Sequence, residues 1–216
     1  MRKLRDPVSG ITHLFGAILS LIGLIALLYT AITNGSALHL ISFIIFGISL
    51  VLLYLSSSIY HLVPGPEKVI KTLRKIDHMM IFILIAGSYT PFLLVALDGF
   101  WRWGMLIGIW VIAISGVIFK AFWIDAPRWL YTAVYLGMGW LALVVIVPLI
   151  RALPTGAIVW LFMGGAFYTT GAVFYALKWP DPLPKVFGFH EIWHIFVLLG
   201  SFAHFWSVFR YVSMIK

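Results

Sequence analysis

His190 and His194 stand four residues apart, a separation that stacks two imidazoles on one face of a helix and suits them to a shared metal ion. Ser57 and His61 repeat that spacing, and Asp77, followed by His78, adds a carboxylate. There is no cysteine, so any metal must be held by His, Asp, Glu or water. The stretch His190-Glu191-Ile192-Trp193-His194 also reads literally as H-E-x-x-H, in which a glutamate between two zinc-binding histidines serves as general base in metalloproteases. Whether these groups form one site depends on the elements that carry them.

Those elements are membrane helices. The chain has 216 residues, of which 62% are hydrophobic and 10% charged, and its mean hydropathy is +1.06. Soluble domains run nearer 45–50% apolar and about 25% charged. At some 20 residues per crossing, the apolar runs predict an all-α, polytopic membrane protein, a single seven-transmembrane helix bundle. The expected spans are 11–32, 38–61, 77–97, 103–122, 129–150, 156–177 and 190–212. Thr33-Asn34-Gly35-Ser36 closes the first, and Pro64-Gly65-Pro66 breaks the second into a basic loop carrying Lys68, Lys71, Arg74 and Lys75. The first apolar run is too long for a cleaved signal peptide and reads as retained. Trp101, Trp103, Trp123, Trp129, Trp179 and Tyr131 fall at span ends, as interfacial aromatic belts do. The net charge of +8 resides in the loops, where topology and anionic headgroups account for it, so no nucleic-acid partner is expected.

Charge sets the orientation. Arg2, Lys3, Arg5, Lys68, Lys71, Arg74, Lys75, Lys120, Arg128, Lys178 and Lys185 share a side with the N-terminus, whereas Arg102, Arg151, Arg210 and Lys216 lie opposite. The positive-inside rule then places the N-terminus in the cytoplasm and the C-terminus outside. With that orientation His61 ends the second span, Asp77 begins the third and His190 begins the seventh, all in the cytoplasmic leaflet. His194 lies about 6 Å deeper than His190.

Three imidazoles with an open fourth position are the catalytic style of zinc site, able to polarise a carbonyl and activate water near neutral pH. Asp77 would hold or deprotonate that water. Ser57 would orient an imidazole or donate to a developing oxyanion. The bland alternative is a polar cluster that ties helices together, with Asp77 capping the third span and Ser56, Ser57 and Ser58 bonding backbone carbonyls. His13 and His204 read as helix-to-helix hydrogen bonds, His39 as interfacial, and His78, about 100° around the helix from Asp77, as structural.

The motifs Ser57-Ser58-Ile59-Tyr60-His61, Lys75-Ile76-Asp77, Gly87-Ser88-Tyr89-Thr90-Pro91-Phe92 and His190-x-x-x-His194, with Thr12-His13-Leu14-Phe15-Gly16, resemble the haemolysin III branch of the progestin and adipoQ receptor (PAQR) family along essentially the whole chain. The resemblance implies seven helices in a bacterial cytoplasmic membrane and a Zn2+ ion held by His61, His190 and His194. It places Asp77 on the metal's water and Ser57 beside the site. Relatives that resemble adiponectin receptors and alkaline ceramidases imply hydrolysis of a lipid amide or ester, with a membrane lipid as substrate. The branch name implies instead a membrane-lytic or pore-forming protein, or a sensor with structural zinc. A third expectation, from the H-E-x-x-H string, is an intramembrane zinc protease using Glu191.

Overall fold

Pro7, whose ring fixes a helix-compatible φ and whose missing N–H costs nothing in a first turn, starts the first helix. The computed structural model describes residues 4–184 and 186–216, so Arg2, Lys3 and Lys185 of the charge count lie outside the described residues. Seven helices are long and apolar enough to cross a membrane. We number them α1 (Pro7–Asn34), α2 (Ala37–Leu62), α3 (Glu67–Ala96), α4 (Gly99–Phe122), α5 (Arg128–Ala152), α6 (Thr155–Leu177) and α7 (Phe189–Arg210). A short 3-10 turn, Val212–Met214, follows α7. Successive helices run antiparallel, α1 against α2, α2 against α3 and α3 against α4, while α6 pairs with α7 and α7 returns to α1.

The bundle sorts its residues as lipid-facing proteins do. On α1, Ser9, Gly10, His13, Gly16, Ala17, Ser20 and Gly23 are buried, while Ile11, Phe15, Ile18, Ile22 and Ile25 point outward. Lipid tails solvate large aliphatics as well as other helices do, so small and polar residues take the interfaces where backbones approach. Gly16 shows how close that approach is. A Cβ there would lie 2.7 Å from Leu198 Cδ2 on α7 and 2.8 Å from Tyr54 Cδ1 on α2. Gly16→Val is therefore expected to destabilise the bundle by about 1–3 kcal/mol, the usual cost of overpacking, and thermal unfolding in detergent beside the wild type measures it.

Two departures from the expected helices bear on the site. The third helix begins at Glu67 rather than near Asp77, so the basic segment expected as a loop is helical. Pro64-Gly65-Pro66 breaks the chain only up to residue 66, and Lys68, Lys71, Leu73, Arg74 and Lys75 are good helix formers that hydropathy alone ignores. Asp77 thus sits ten residues inside α3 and does not cap it. The fifth helix is broken, with Leu141–Val145 tightened to 3-10 geometry. Pro148 supplies no N–H to the carbonyl four residues back and its ring crowds it. The Tyr89 hydroxyl donates to carbonyls just before the break, reaching Met138 O at 2.8 Å and Gly139 O at 2.7 Å. Of the expected belt, Trp101, Trp103, Trp123, Trp129 and Trp179 are exposed, but Tyr131 is buried beneath a lysine from α4.

Candidate metal centre

Three helix ends meet where α1 starts, α2 finishes and α7 starts. The ligand-capable nitrogens of His61, His190 and His194 lie within 4.8 Å of one another, close enough to hold one metal ion. Two imidazole nitrogens bound about 2.0–2.1 Å from one tetrahedral ion are about 3.3–3.4 Å apart. Nε2 of His61 and Nε2 of His190 are 3.3 Å apart. The donor set therefore fits a metal without rearrangement of this pair.

The outward nitrogens are held from α1. His61 Nδ1 lies 3.2 Å from Asp6 Oδ2, and His194 Nδ1 lies 3.2 Å from the Ser9 carbonyl. Carboxylates and carbonyls only accept, so both Nδ1 atoms carry the proton and both Nε2 lone pairs remain available. The backbone adds a further tie, Asp6 N donating to His61 O at 2.9 Å. Asp6 Oδ2 also accepts from Arg5 Nε at 3.1 Å. Neither Asp6 nor Ser9 is apparent as a partner in the sequence, since each meets its histidine only after α1 packs beside α2 and α7. Asp6→Asn is expected to weaken metal affinity about 10–100-fold, as loss of a ligand-orienting carboxylate does. Competition against a chelator of known affinity measures it.

Glu191 has a different occupation. Its Oε1 accepts from Ser9 Oγ at 2.7 Å and its Oε2 from Gly188 N at 2.8 Å, so it caps α7 and ties it to α1. Both oxygens are engaged at the helix start, and the residue is absent from the cavity wall that carries His190 and His194.

Asp77 and Ser57 are buried and line that same cavity of about 160 Å³. Ser56, not Ser57, bonds the backbone, donating to Leu53 O at 3.0 Å. The cavity begins at His190, His194, Asp77 and Ser57 and continues between α3, α5, α6 and α7 along apolar side chains such as Ile85, Leu143 and Leu161. His13 also lines it, but as a ring stacked on His194 at 3.7 Å between centroids rather than as a hydrogen-bonding tie. Neither of its nitrogens has a partner among the described residues. His204 does bond across helices, its Nε2 lying 3.2 Å from Leu161 O. His39, in the first turn of α2, is buried against the protein, with Nδ1 accepting from Ser36 N at 3.1 Å.

Comparison with known proteins covers nearly the whole chain. A family model described as Haemolysin-III related matches residues 1–205. The chain is similar to Hemolysin-3 homolog of Bacillus subtilis (strain 168), 42% identical over 206 residues covering 95% of this chain and 93% of that protein. It is 43% identical to Hemolysin-3 of Bacillus cereus over 207 residues, 96% of this chain and 91% of the relative. At greater distance, Monocyte to macrophage differentiation factor of Homo sapiens is 27% identical over 176 residues, 78% of this chain and 69% of that protein.

Proposed function

The chain belongs to the haemolysin III-related family of integral membrane proteins, and on that premise we propose that it is a zinc-dependent hydrolase of an acyl amide or ester carried by a membrane lipid. One observation carries the reading: His190 and His194, two members of a three-imidazole cluster, share with the buried Asp77 carboxylate the polar end of an apolar cavity between helices. A cluster serving only to tie helices together would have no need of that cavity. We place the site in the cytoplasmic leaflet of a bacterial inner membrane, because basic residues gather at that end of the bundle.

His61, His190 and His194 would hold the ion. When bound, zinc supplies Lewis acidity that polarises a carbonyl and brings the pKa of water near neutrality. Asp6 and the Ser9 carbonyl aim two of the three imidazoles, those of His61 and His194. The Asp77 carboxylate accepts the proton of the attacking water at Oδ and returns it to the leaving amine or alkoxide, a general base and then a general acid. The Ser57 hydroxyl, facing Asp77, donates to the oxygen that gains charge as the carbonyl is attacked. Apolar walls on α3, α5 and α6 take the acyl chain and keep bulk water away.

The test is turnover by zinc-loaded protein in lipid nanodiscs, presented with ceramide-like amides and with acyl esters and scored for released fatty acid. Release from one class supports the reading. No release across the panel, from protein with confirmed zinc, sinks it. The name of the Bacillus cereus relative, Hemolysin-3, favours a second reading, a membrane-lytic protein. Dye release from liposomes that persists after loss of all three histidines would select it.

A further inference from the structure

The cavity meets the outside of the bundle along one seam. Of the described residues that line it, the exposed ones are Gly139, Trp140, Leu143 and Phe162, all on α5 or α6. Trp140, Leu143 and Phe162 are 40%, 50% and 42% exposed, so each belongs to the cavity wall and to the lipid-facing surface at once. A wall residue so placed borders an opening.

Local geometry sets these side chains across from one another. Trp140 Nε1 donates to Thr169 Oγ1 at 3.1 Å, which fixes the side of α5 that faces α6. Leu143 follows in the 3-10 stretch, where side chains three apart eclipse, and so lies on that same side. Phe162, Gly165 and Thr169 share the opposing face of α6 at helical spacing. The space between is not filled, since a Cβ on Gly139 or Gly165 would meet no described atom within 4 Å. The opening is bounded: toward the metal end the Trp140–Thr169 hydrogen bond ties the helices, and toward the other end Leu149, Leu153 and Ala157 are buried. Gly165 lies near the middle of α6, about 15 Å along the axis from Tyr175, whose ring is 5.8 Å from that of His190. Since α6 carries no charged residue and α5 none between Arg128 and Arg151, apolar edges face hydrocarbon.

Volume gives the opening its use. An apolar cavity of about 150 Å³ holds one benzene, and this one, of about 160 Å³, cannot enclose the whole acyl chain of a membrane lipid. We propose that the seam at Leu143, Phe162 and Gly165 is an acyl-chain port, through which the tail of a chain seated at the metal end of the cavity passes into the surrounding bilayer. The choice of an acyl chain as occupant rests on the hydrolase reading, whereas the route rests on the seam. Methylenes beyond the port exchange hydrocarbon for hydrocarbon and gain or lose little. The site therefore sets a minimum reach and no maximum chain length.

The test measures binding, not turnover. Full-length protein in neutral detergent is titrated with octanoate, palmitate and lignocerate, and retention is read by native mass spectrometry. Palmitate bearing a terminal diazirine is photolysed with and without excess unlabelled palmitate, and the competed label is mapped to residues. Wild type is expected to hold palmitate and lignocerate equally and to take the label at Leu143 and Phe162. Gly165→Leu, which fills the gap, should weaken both long chains about tenfold, a modest overpacking cost, and leave octanoate, too short to reach the seam, unchanged. Gly165→Ala should keep all three. Unchanged palmitate binding by folded Gly165→Leu, rejection of lignocerate by wild type, or competed label that is absent or confined to Leu149 and His204 overturns the port. If Gly165→Leu does not fold, the labelling decides. Fatty acid released in the nanodisc assay by a protein labelled at Leu149 and His204 keeps the hydrolase and ends the port, and label at the seam of a protein that releases none does the reverse.

Discussion

Protein purified without chelator is expected to carry about one equivalent of zinc, and His190→Ala/His194→Ala to carry none above background. The three nitrogens converge on one point, with a His61–His190 separation that already suits a single tetrahedral ion. Removing two of three donors leaves a lone imidazole with no chelate. Structural zinc sites contribute about 10–16 kcal/mol of apparent binding free energy, so this loss moves the ion from one that survives purification to one that does not. Elemental analysis of both proteins, at matched helicity by circular dichroism, reads the result. Stripping the wild type should also lower its thermal stability, since a ligand at about a thousand times its dissociation constant contributes about 4 kcal/mol to the folded state. Full metal retention by the double variant would remove the basis of the site.

The second large effect separates two carboxylates that sequence leaves in competition. Asp77→Asn preserves shape and removes the proton acceptor, so turnover should fall about 10²–10⁴-fold, the range for loss of a general acid–base group, while bound zinc is unchanged. Glu191→Gln should leave turnover within a few-fold and cost about 1 kcal/mol of stability, the worth of a helix cap. Initial rates on the substrate found in the nanodisc panel, with metal content measured beside them, distinguish the two. The opposite pattern, a tolerant Asp77 and an essential Glu191, would reinstate the protease reading. Glu191 is unsuited to that role because both its oxygens are committed to Ser9 and Gly188.

Much of this is legible in the residues. The apolar runs give the seven helices, the i, i+4 spacing pairs His190 with His194, and counting crossings brings His61 to their level. Local pattern fails where the answer depends on what lies across an interface. Asp6 and Ser9 look like an ordinary helix start, yet they hold two of the clustered histidines from far along the chain. Hydropathy located the start of the third span at Asp77, because it measures affinity for lipid and not for helix. The helix runs on through charged residues at the water boundary. Glu191 matches a catalytic string letter for letter, but its position one turn into a helix gives the side chain a nearer partner than the metal. The angle between His78 and Asp77 around α3 turns the His78 ring toward Tyr131, over which Lys120 lies. Nothing in a one-dimensional pattern announces that a lysine two residues short of the end of an apolar helix finds no water.

The brace from α1 has a consequence for how the protein is made. Ser9 meets Glu191 across 182 residues, and His61 meets His190 across 129. A nascent chain with six helices in the bilayer therefore has one ligand in place and no way to close the set. Only the arrival of the last helix beside the first completes it, so binding of an ion there would report finished insertion, and a chain that fails to bring α7 home would remain without the complete set and unlatched.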